Sequence, residues 1–563
     1  MAVQIDFSRY HRYDELVVHL RELADGYPAL ARLYAIGKSY EGRDLWLMEL
    51  TNHATGDHGD KPGYYIDGNM HAGEVTGAAA ALYTIWYLLT NYGTDPEVTR
   101  LLDTTSFYVL PRVSPDGAEK YLTTPYFLRS SARPYPFVAE QDGLYPEDVD
   151  ENGLILQMRV EDADGEWKIS GQDSRLMIPR RPDEYGGQYF RVYQEGLIRN
   201  FDGVEIQAAP PRWGLDLNRQ FPVNWEPEAK QKGAGPYPLS EPETRAVADF
   251  LLAQKNIAAG QSFHTTTGII LRPSSLRSDE KMHPKDRTAF EAVGKIGAEL
   301  TGYPCVSVFD GYAYDKEKPI KGAFLDWCYD NLGMMLYSTE LWDLRVRAGL
   351  DRVPFSAPFK DRDAEAEGLA MLSFVDRELG GEGFVPWYDF EHPQLGKVQL
   401  GGWRMKDVLQ NAPPRFLQAE AHKNAMFTLR HAATLPRIAV TAAKAEHLGD
   451  GVFKVDVVVK NRGYLPTHVT EMAKQIKTAA PVTVALGLPA GAELVLGKPK
   501  EELGHLEGRV LPPAGFYPGN GSTAKEKRVA WIVKAPHGGV LVVTAESSKA
   551  GRQTVTLSLG TEG

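Results

Sequence analysis

Apolar and polar positions follow two different rhythms along this chain, and the change falls near residue 436. In the first stretch, YDELVVHLRELADGYP, residues Leu16, Val17, His19, Leu20 and Leu23 recur at helical spacing until Gly26 and Pro28 stop the run. LARLYAIG and RDLWLMELT then read as strands around a KSYEG turn. GYYID (residues 63–67) predicts a buried strand, followed by a short loop and an Ala-rich helix from about Val75 to Leu89, and TSFYVLPRV predicts another buried strand.

From about 119 to 212 the rhythm breaks. Pro, Gly, Asp and Arg are frequent there and only short strand-like pieces such as LILQMRVED appear, which predicts a long insertion or decorated loop. Alternation resumes at Ser240-Glu241-Pro242-Glu243, a capping-box start for the helix ETRAVADFLLAQ. IAAGQSFH, CVSVF and MMLYSTEL read as strands and PKDRTAFEAVGKIGAELTG as a helix. Strands alternating with helices predict an α/β sheet covered by helices on both faces. After the helix FLQAEAHKNAMFTLRHAATLP the pattern turns to VFKVDVVVKNRG, VAWIVKA, GGVLVVTAESS and RQTVTLSLG. The expected organisation is therefore an α/β domain over 1–435, carrying the insertion, and an all-β, sandwich-like domain over 436–563.

Composition narrows the function. With 62 Lys and Arg against 74 Asp and Glu the formal charge is −12, which argues against nucleic acid as the main partner, because phosphate binding requires a clustered basic surface. No apolar run reaches the roughly eighteen residues of a membrane span. The opening MAVQIDFSRYHRYDE lacks a basic segment followed by an apolar one, which predicts a cytoplasmic protein, or a secreted one if a leader was removed. Cys305 and Cys328 alone make neither a disulfide framework nor a Cys-based zinc site. Any bound metal must use His and carboxylate ligands.

The chemistry-bearing residues are few. His71-Ala72-Gly73-Glu74 is a His-x-x-Glu pattern that also occurs at His19–Glu22 and His468–Glu471. Context separates it from those two: GYYIDGNMHAGE places it in a loop just beyond a strand and at a helix start, where open α/β sheets bind ligands. A catalytic zinc takes three protein ligands plus water, and His264, ending the strand IAAGQSFH, is the best third candidate. In GLDLNRQF, Asp216 and Asn218 alternate and can share a side, with Arg219 next to them. Glu340 ends a buried apolar strand, where a lone carboxylate needs a partner, an exit to the surface or a function.

Together and in this order, HAGE, SPDG, GLDLNR, SFHTTT and GAFLDWCYDNLGMMLYSTEL resemble the zinc metallocarboxypeptidases of the carboxypeptidase A and B type, over roughly residues 8–435. The resemblance implies a carboxypeptidase-like mixed sheet with helices on both faces, and one zinc ion held by His71, Glu74 and His264. Asp216 would accept the free ring N–H of His71. Glu340 would be the general base, taking a proton from the attacking water and later delivering one to the leaving amine. Asn218 and Arg219 would grip the terminal carboxylate of a peptide. For the arginine that stabilises the developing oxyanion the insertion stretches the interval; Arg159 is the choice, with Arg180 and Arg181 as rivals. Tyr314, in competition with Tyr312, would fold over the substrate. Leu325, just before Asp326-Trp327, would line the pocket for the last side chain and lean it toward apolar residues.

The implied activity is removal of C-terminal residues from peptides carrying a free carboxylate, with neither nucleic acid nor membrane as partner. A related zinc amidohydrolase acting on N-acyl amino acids or cell-wall peptides is the near alternative, and a non-catalytic zinc-binding protein the distant one. The β domain shows no catalytic constellation and is expected to pack on and stabilise the first domain.

Overall fold

A computed structural model describes residues 3–313, 315–352, 362–510 and 524–560. Its centre is an eight-stranded mixed sheet in the order Ala31–Lys38, Asp44–Leu50, Ser106–Leu110, Gly63–Gly68, Ile257–Thr265, Met335–Leu341, Ile269–Arg272, Cys305–Ser307. The middle strands, Ser106–Leu110, Gly63–Gly68, Ile257–Thr265 and Met335–Leu341, run parallel to one another. All four are buried along their whole length, which explains why they read as continuous apolar runs rather than alternating ones.

Two helices cover one face. Val75–Asn91 packs against Pro414–Ala432, and the cluster they enclose includes Tyr64, Ile66, Leu82, Ile85 and Phe427. On the other face Pro242–Ala253 and Phe324–Asp330 bury Val247, Leu251, Phe324 and Trp327 with Tyr65, Tyr108 and Leu336. The expected start of Pro242–Ala253 shifts by one residue: Glu241, not Ser240, is the residue before the first turn, and Ser240 Oγ donates to Glu241 Oε1 at 2.9 Å. Pro242 dictates this, because a proline without an N–H fits the first helical position.

Residues 119–212 are not a decorated loop. Gln157–Glu161, Phe190–Gln194, Trp167–Ile169 and Met177–Pro179 join the hairpin Phe384–His392 and Gly396–Trp403 in a six-stranded sheet. The ladder Leu400↔Met158 links parts of the chain far apart in sequence, so local pattern cannot reveal it. The C-terminal stretch forms two four-stranded antiparallel sheets whose inner faces bury Val455, Val457, Val459, Trp531, Leu541 and Val543. No helix among the described residues is long and apolar enough to cross a membrane, and both cysteines are free.

His431, on the Pro414–Ala432 helix, is fully buried, pairs with Tyr64 Oη through Nδ1 at 2.8 Å and packs edge-on to Tyr337. Burial pushes its pKa down to about 3. The unfolded imidazole takes up a proton from about 6.5 downward while the folded one stays neutral, so this stability is complete above pH 6.5 and lost as pH falls toward 3. Between pH 7 and 4.5 the residue should remove about 3 kcal/mol of unfolding free energy. Denaturant titrations of wild type and His431→Leu at both pH values should show the smaller pH effect in the variant; equal slopes would exclude the assignment.

Candidate functional site

Three adjacent parallel strands end on the same side of the sheet, and each delivers one part of the site. Gly63–Gly68 leads into the loop that carries His71 and Glu74, the latter directly before the helix Val75–Asn91. Asn69, with φ of 60°, turns that loop and donates its amide to the carbonyls of His71 (2.7 Å) and Ala72 (2.9 Å). Gly68 permits the close approach of helix to strand: a Cβ there would lie 2.5 Å from the carbonyl oxygen of Gly77. His264 is the last residue but one of the neighbouring strand Ile257–Thr265, and Glu340 sits in register with it on Met335–Leu341.

The donor atoms converge. Nδ1 of His71 lies 2.9 Å from Oε1 of Glu74, Nδ1 of His264 lies 2.9 Å from Oε2 of Glu74, and the two Nδ1 atoms are 3.1 Å apart. All three residues are buried. Two imidazole nitrogens aimed at each other across one carboxylate form a poor hydrogen-bonded cluster but a good cation cradle, since ligand-to-ligand edges around tetrahedral zinc are roughly 3.3 Å. The donor set therefore fits a divalent, nitrogen-accepting metal of the zinc kind.

Each ring has an outer partner. His71 Nε2 meets Asp216 Oδ1 at 3.1 Å, while His264 Nε2 lies 3.2 Å from Ser262 Oγ, which donates to Asp67 Oδ1 at 2.6 Å. Such contacts fix ring orientation and tautomer. The other His-x-x-Glu pairs show why the motif alone is weak. His19 Nδ1 lies 3.3 Å from Glu22 and His468 Nε2 3.4 Å from Glu471, yet neither belongs to a three-ligand cluster among the described residues.

Burial raises the cost of every charge here. Burial alone would lift the Glu74 carboxyl, but His71 and His264 hold it well below the usual carboxylate range. Asp216 is likewise held low, against its burial, by Arg129, Arg219 and His71. Glu340 goes the other way: burial and the neighbouring Glu74 push it up to about 8, with His264, Arg129 and Arg219 pulling against them. A cation on the donor set would add to that pull.

The sequence-derived assignments divide. Asp216, Asn218 and Arg219 are brought to the site. Asn218 Oδ1 accepts from the Phe324 amide at 2.8 Å, and Arg219 Nη1 donates to the Asn218 carbonyl at 2.6 Å. Arg159 is not at the site. It lies in the six-stranded sheet, donating to Gln399 Oε1 at 2.8 Å and stacked over Trp387 (4.4 Å) and Phe190 (4.9 Å). Arg180 covers Tyr189 at 3.7 Å and Arg181 pairs with Asp183 at 3.1 Å, so neither rival takes its place.

A second arginine reaches the site beside Arg219: Arg129, missed in the sequence. Its Nε donates to Asp216 Oδ2 at 3.0 Å, its Nη1 lies 3.3 Å from Glu74 Oε1, and its charge acts on Glu340. No local signal marked it, because it lies in irregular backbone at the edge of a polar, Pro-rich stretch. Leu325 is only 4% exposed and belongs to the core cluster with Phe221, Phe324 and Trp327, which removes the basis for an apolar lean in specificity. Tyr314 lies outside the described residues. Tyr312 is close to the site: burial and then Glu340 and Glu74 push its hydroxyl well above the usual tyrosine range.

A family model described as zinc carboxypeptidase matches residues 16–348, and one for a domain of unknown function matches residues 437–558. Carboxypeptidase D of Anas platyrhynchos is 42% identical over 120 residues, 21% of this chain and 9% of that protein. Carboxypeptidase B of Astacus astacus is 30% identical over 196 residues, 35% of this chain and 56% of the relative. Among solved structures, carboxypeptidase A from Helicoverpa armigera aligns with a TM-score of 0.42 at 18% identity, covering 67% of this chain and 75% of that one.

Proposed function

This chain belongs to the zinc carboxypeptidase family, and from that premise we propose that it is a zinc-dependent metallocarboxypeptidase, hydrolysing the C-terminal peptide bond of peptides with a free terminal carboxylate. The observation that carries the reading is the convergence of His71, Glu74 and His264 beside a buried Glu340, at the ends of three adjacent parallel strands. Zinc on these three ligands would acidify water and polarise the scissile carbonyl.

The chain's own residues supply the rest. Asp216 orients His71, and the Ser262–Asp67 pair orients His264. Glu340, kept out of bulk water, accepts a proton from the attacking water and returns it to the departing amine; a cation on the neighbouring donor set would favour its ionised, proton-accepting form. Arg129 takes the oxyanion role in place of Arg159, because it is the arginine held over the donor set by Asp216 and Glu74. Asn218 and Arg219 receive the substrate carboxylate, for which a guanidinium fork is matched. Tyr312, the rival to Tyr314, would cover the substrate, a role its closeness to Glu340 and Glu74 supports.

Asp216→Ala should weaken zinc binding by about 10–100-fold, the usual cost of losing a histidine's outer partner. Competition with a chelator measures it; unchanged zinc affinity would remove Asp216 from this role. Incubating the zinc-loaded protein with a defined peptide mixture and reading products by mass spectrometry tests the function itself. Loss of single C-terminal residues supports the exopeptidase. Intact peptides with zinc retained would overturn it in favour of the amidohydrolase, or of a binding protein if acylated amino acids and cell-wall peptides also stay intact.

A further inference from the structure

For a chain with net charge −12, one place away from the donor set is unexpectedly basic. A cleft of about 340 Å³ opens where the helix Pro96–Thr104 and the end of the helix Pro414–Ala432 meet the C-terminal β unit. Four arginines line it, Arg100, Arg437, Arg462 and Arg509, and no carboxylate does. Among the described residues none of the four guanidinium groups has an ion-pair or hydrogen-bond partner. The stretch 511–523 that follows Arg509 contains no Asp or Glu in its sequence. The nearby Arg430, by contrast, is paired with Glu97.

Arg437 is half-buried, and burial together with the charges of Arg100 and Arg462 lowers the proton affinity of its guanidinium. Like charges gathered in a partly enclosed cleft repel one another, and the repulsion grows as water is excluded. Something of opposite charge would relieve it. A single carboxylate would neutralise only one of four charges, whereas a phosphate group brings two negative charges and several acceptor oxygens suited to guanidinium forks. The cleft volume is ample for a pyrophosphate.

We propose that this cleft is a phosphate-binding site, taking a phosphate or pyrophosphate group, free or carried on a larger molecule, between Arg100 of the carboxypeptidase unit and Arg437, Arg462 and Arg509 of the β unit. The bound group ties the two units together across their seam, since its ligands come from both. Nothing in this depends on the peptidase reading, because none of the four arginines belongs to the donor set or its partners.

Calorimetric titration of the zinc-loaded full chain with sodium pyrophosphate and with inorganic phosphate, at constant ionic strength held by chloride, tests the site. Saturable pyrophosphate binding is expected with a Kd on the order of 10 µM. Affinity should fall at least about tenfold in Arg437→Gln/Arg462→Gln, and the rise in melting temperature that pyrophosphate causes in wild type should fall with it. Zinc content after titration, compared in wild type and variant, separates binding from chelation. Arg462 is exposed, so Arg462→Gln alone serves if the double variant does not fold. Sedimentation with phosphatidylcholine vesicles, with and without phosphatidic acid, distinguishes the sources: arginine-dependent co-sedimentation assigns the group to a lipid headgroup, soluble binding without it to a free phosphate. No binding of any of these probes, or equal binding by wild type and variants, overturns the proposal.

Discussion

Glu340→Gln should retain zinc and lose at least about 10²-fold in kcat, the scale of a missing general base. The substitution preserves volume and keeps a polar group at the end of the Met335–Leu341 strand, so the parallel ladder with Ile257–Thr265 should persist. What disappears is the proton-accepting carboxylate. Glu340 is not among the three convergent donors, so zinc content measured by atomic absorption should stay at one ion per chain. KM should change little, because the carboxylate grip belongs to Asn218 and Arg219. A variant with wild-type kcat would move the base elsewhere, and one that lost its zinc would make Glu340 a ligand. In the zinc-free protein the same change should not destabilise the fold, since the burial and the Glu74 charge that push this carboxyl up to about 8 act against a negative charge at that place.

Arg129→Ala should lower kcat by about 10²–10³-fold, the usual cost of removing one oxyanion donor. Arg159→Ala is the matched control and should leave kcat and KM unchanged. Its expected defect is stability, about 1–2 kcal/mol, because its guanidinium is stacked on Trp387 and Phe190 and bonded to Gln399. Arg129 also touches Glu74 and Asp216, so zinc affinity must be measured in parallel. A loss of activity that excess zinc restores would mean that Arg129 positions the ligands and another group meets the oxyanion. Activity lost in Arg159→Ala instead, with Arg129→Ala near wild type, would reverse the assignment.

The difference between these two arginines shows how the site was read and misread. Arg159 sits in LILQMRVED, a run that advertises a strand, and it is in a strand. That strand belongs to a second sheet closed by residues 384–403, and no local pattern tells which sheet a short strand joins. Arg129 lies in irregular backbone with no period, and only its contacts with Asp216 and Glu74 reveal it. Leu325 failed for a related reason. Its neighbours in sequence match a pocket-lining position, but the helix Phe324–Asp330 turns its side chain into the core.

His71 and Glu74 were legible because chemistry and local structure coincide: a buried strand, a glycine at the close approach, a short loop and a helix start put both side chains within a few residues. The four parallel central strands were legible as largely apolar runs without alternation, since both faces are buried and the few polar positions along them, such as Asp67, Ser262, His264 and Glu340, gather toward the site end. Strand neighbours, the partner of the insertion and the residues that gather at the cleft lined by Arg100, Arg437, Arg462 and Arg509 were decided only when the chain closed on itself. Period and composition report the environment a segment needs, and many partners can satisfy that need. Which partner is chosen depends on contacts between residues hundreds of positions apart, and those contacts leave no local trace.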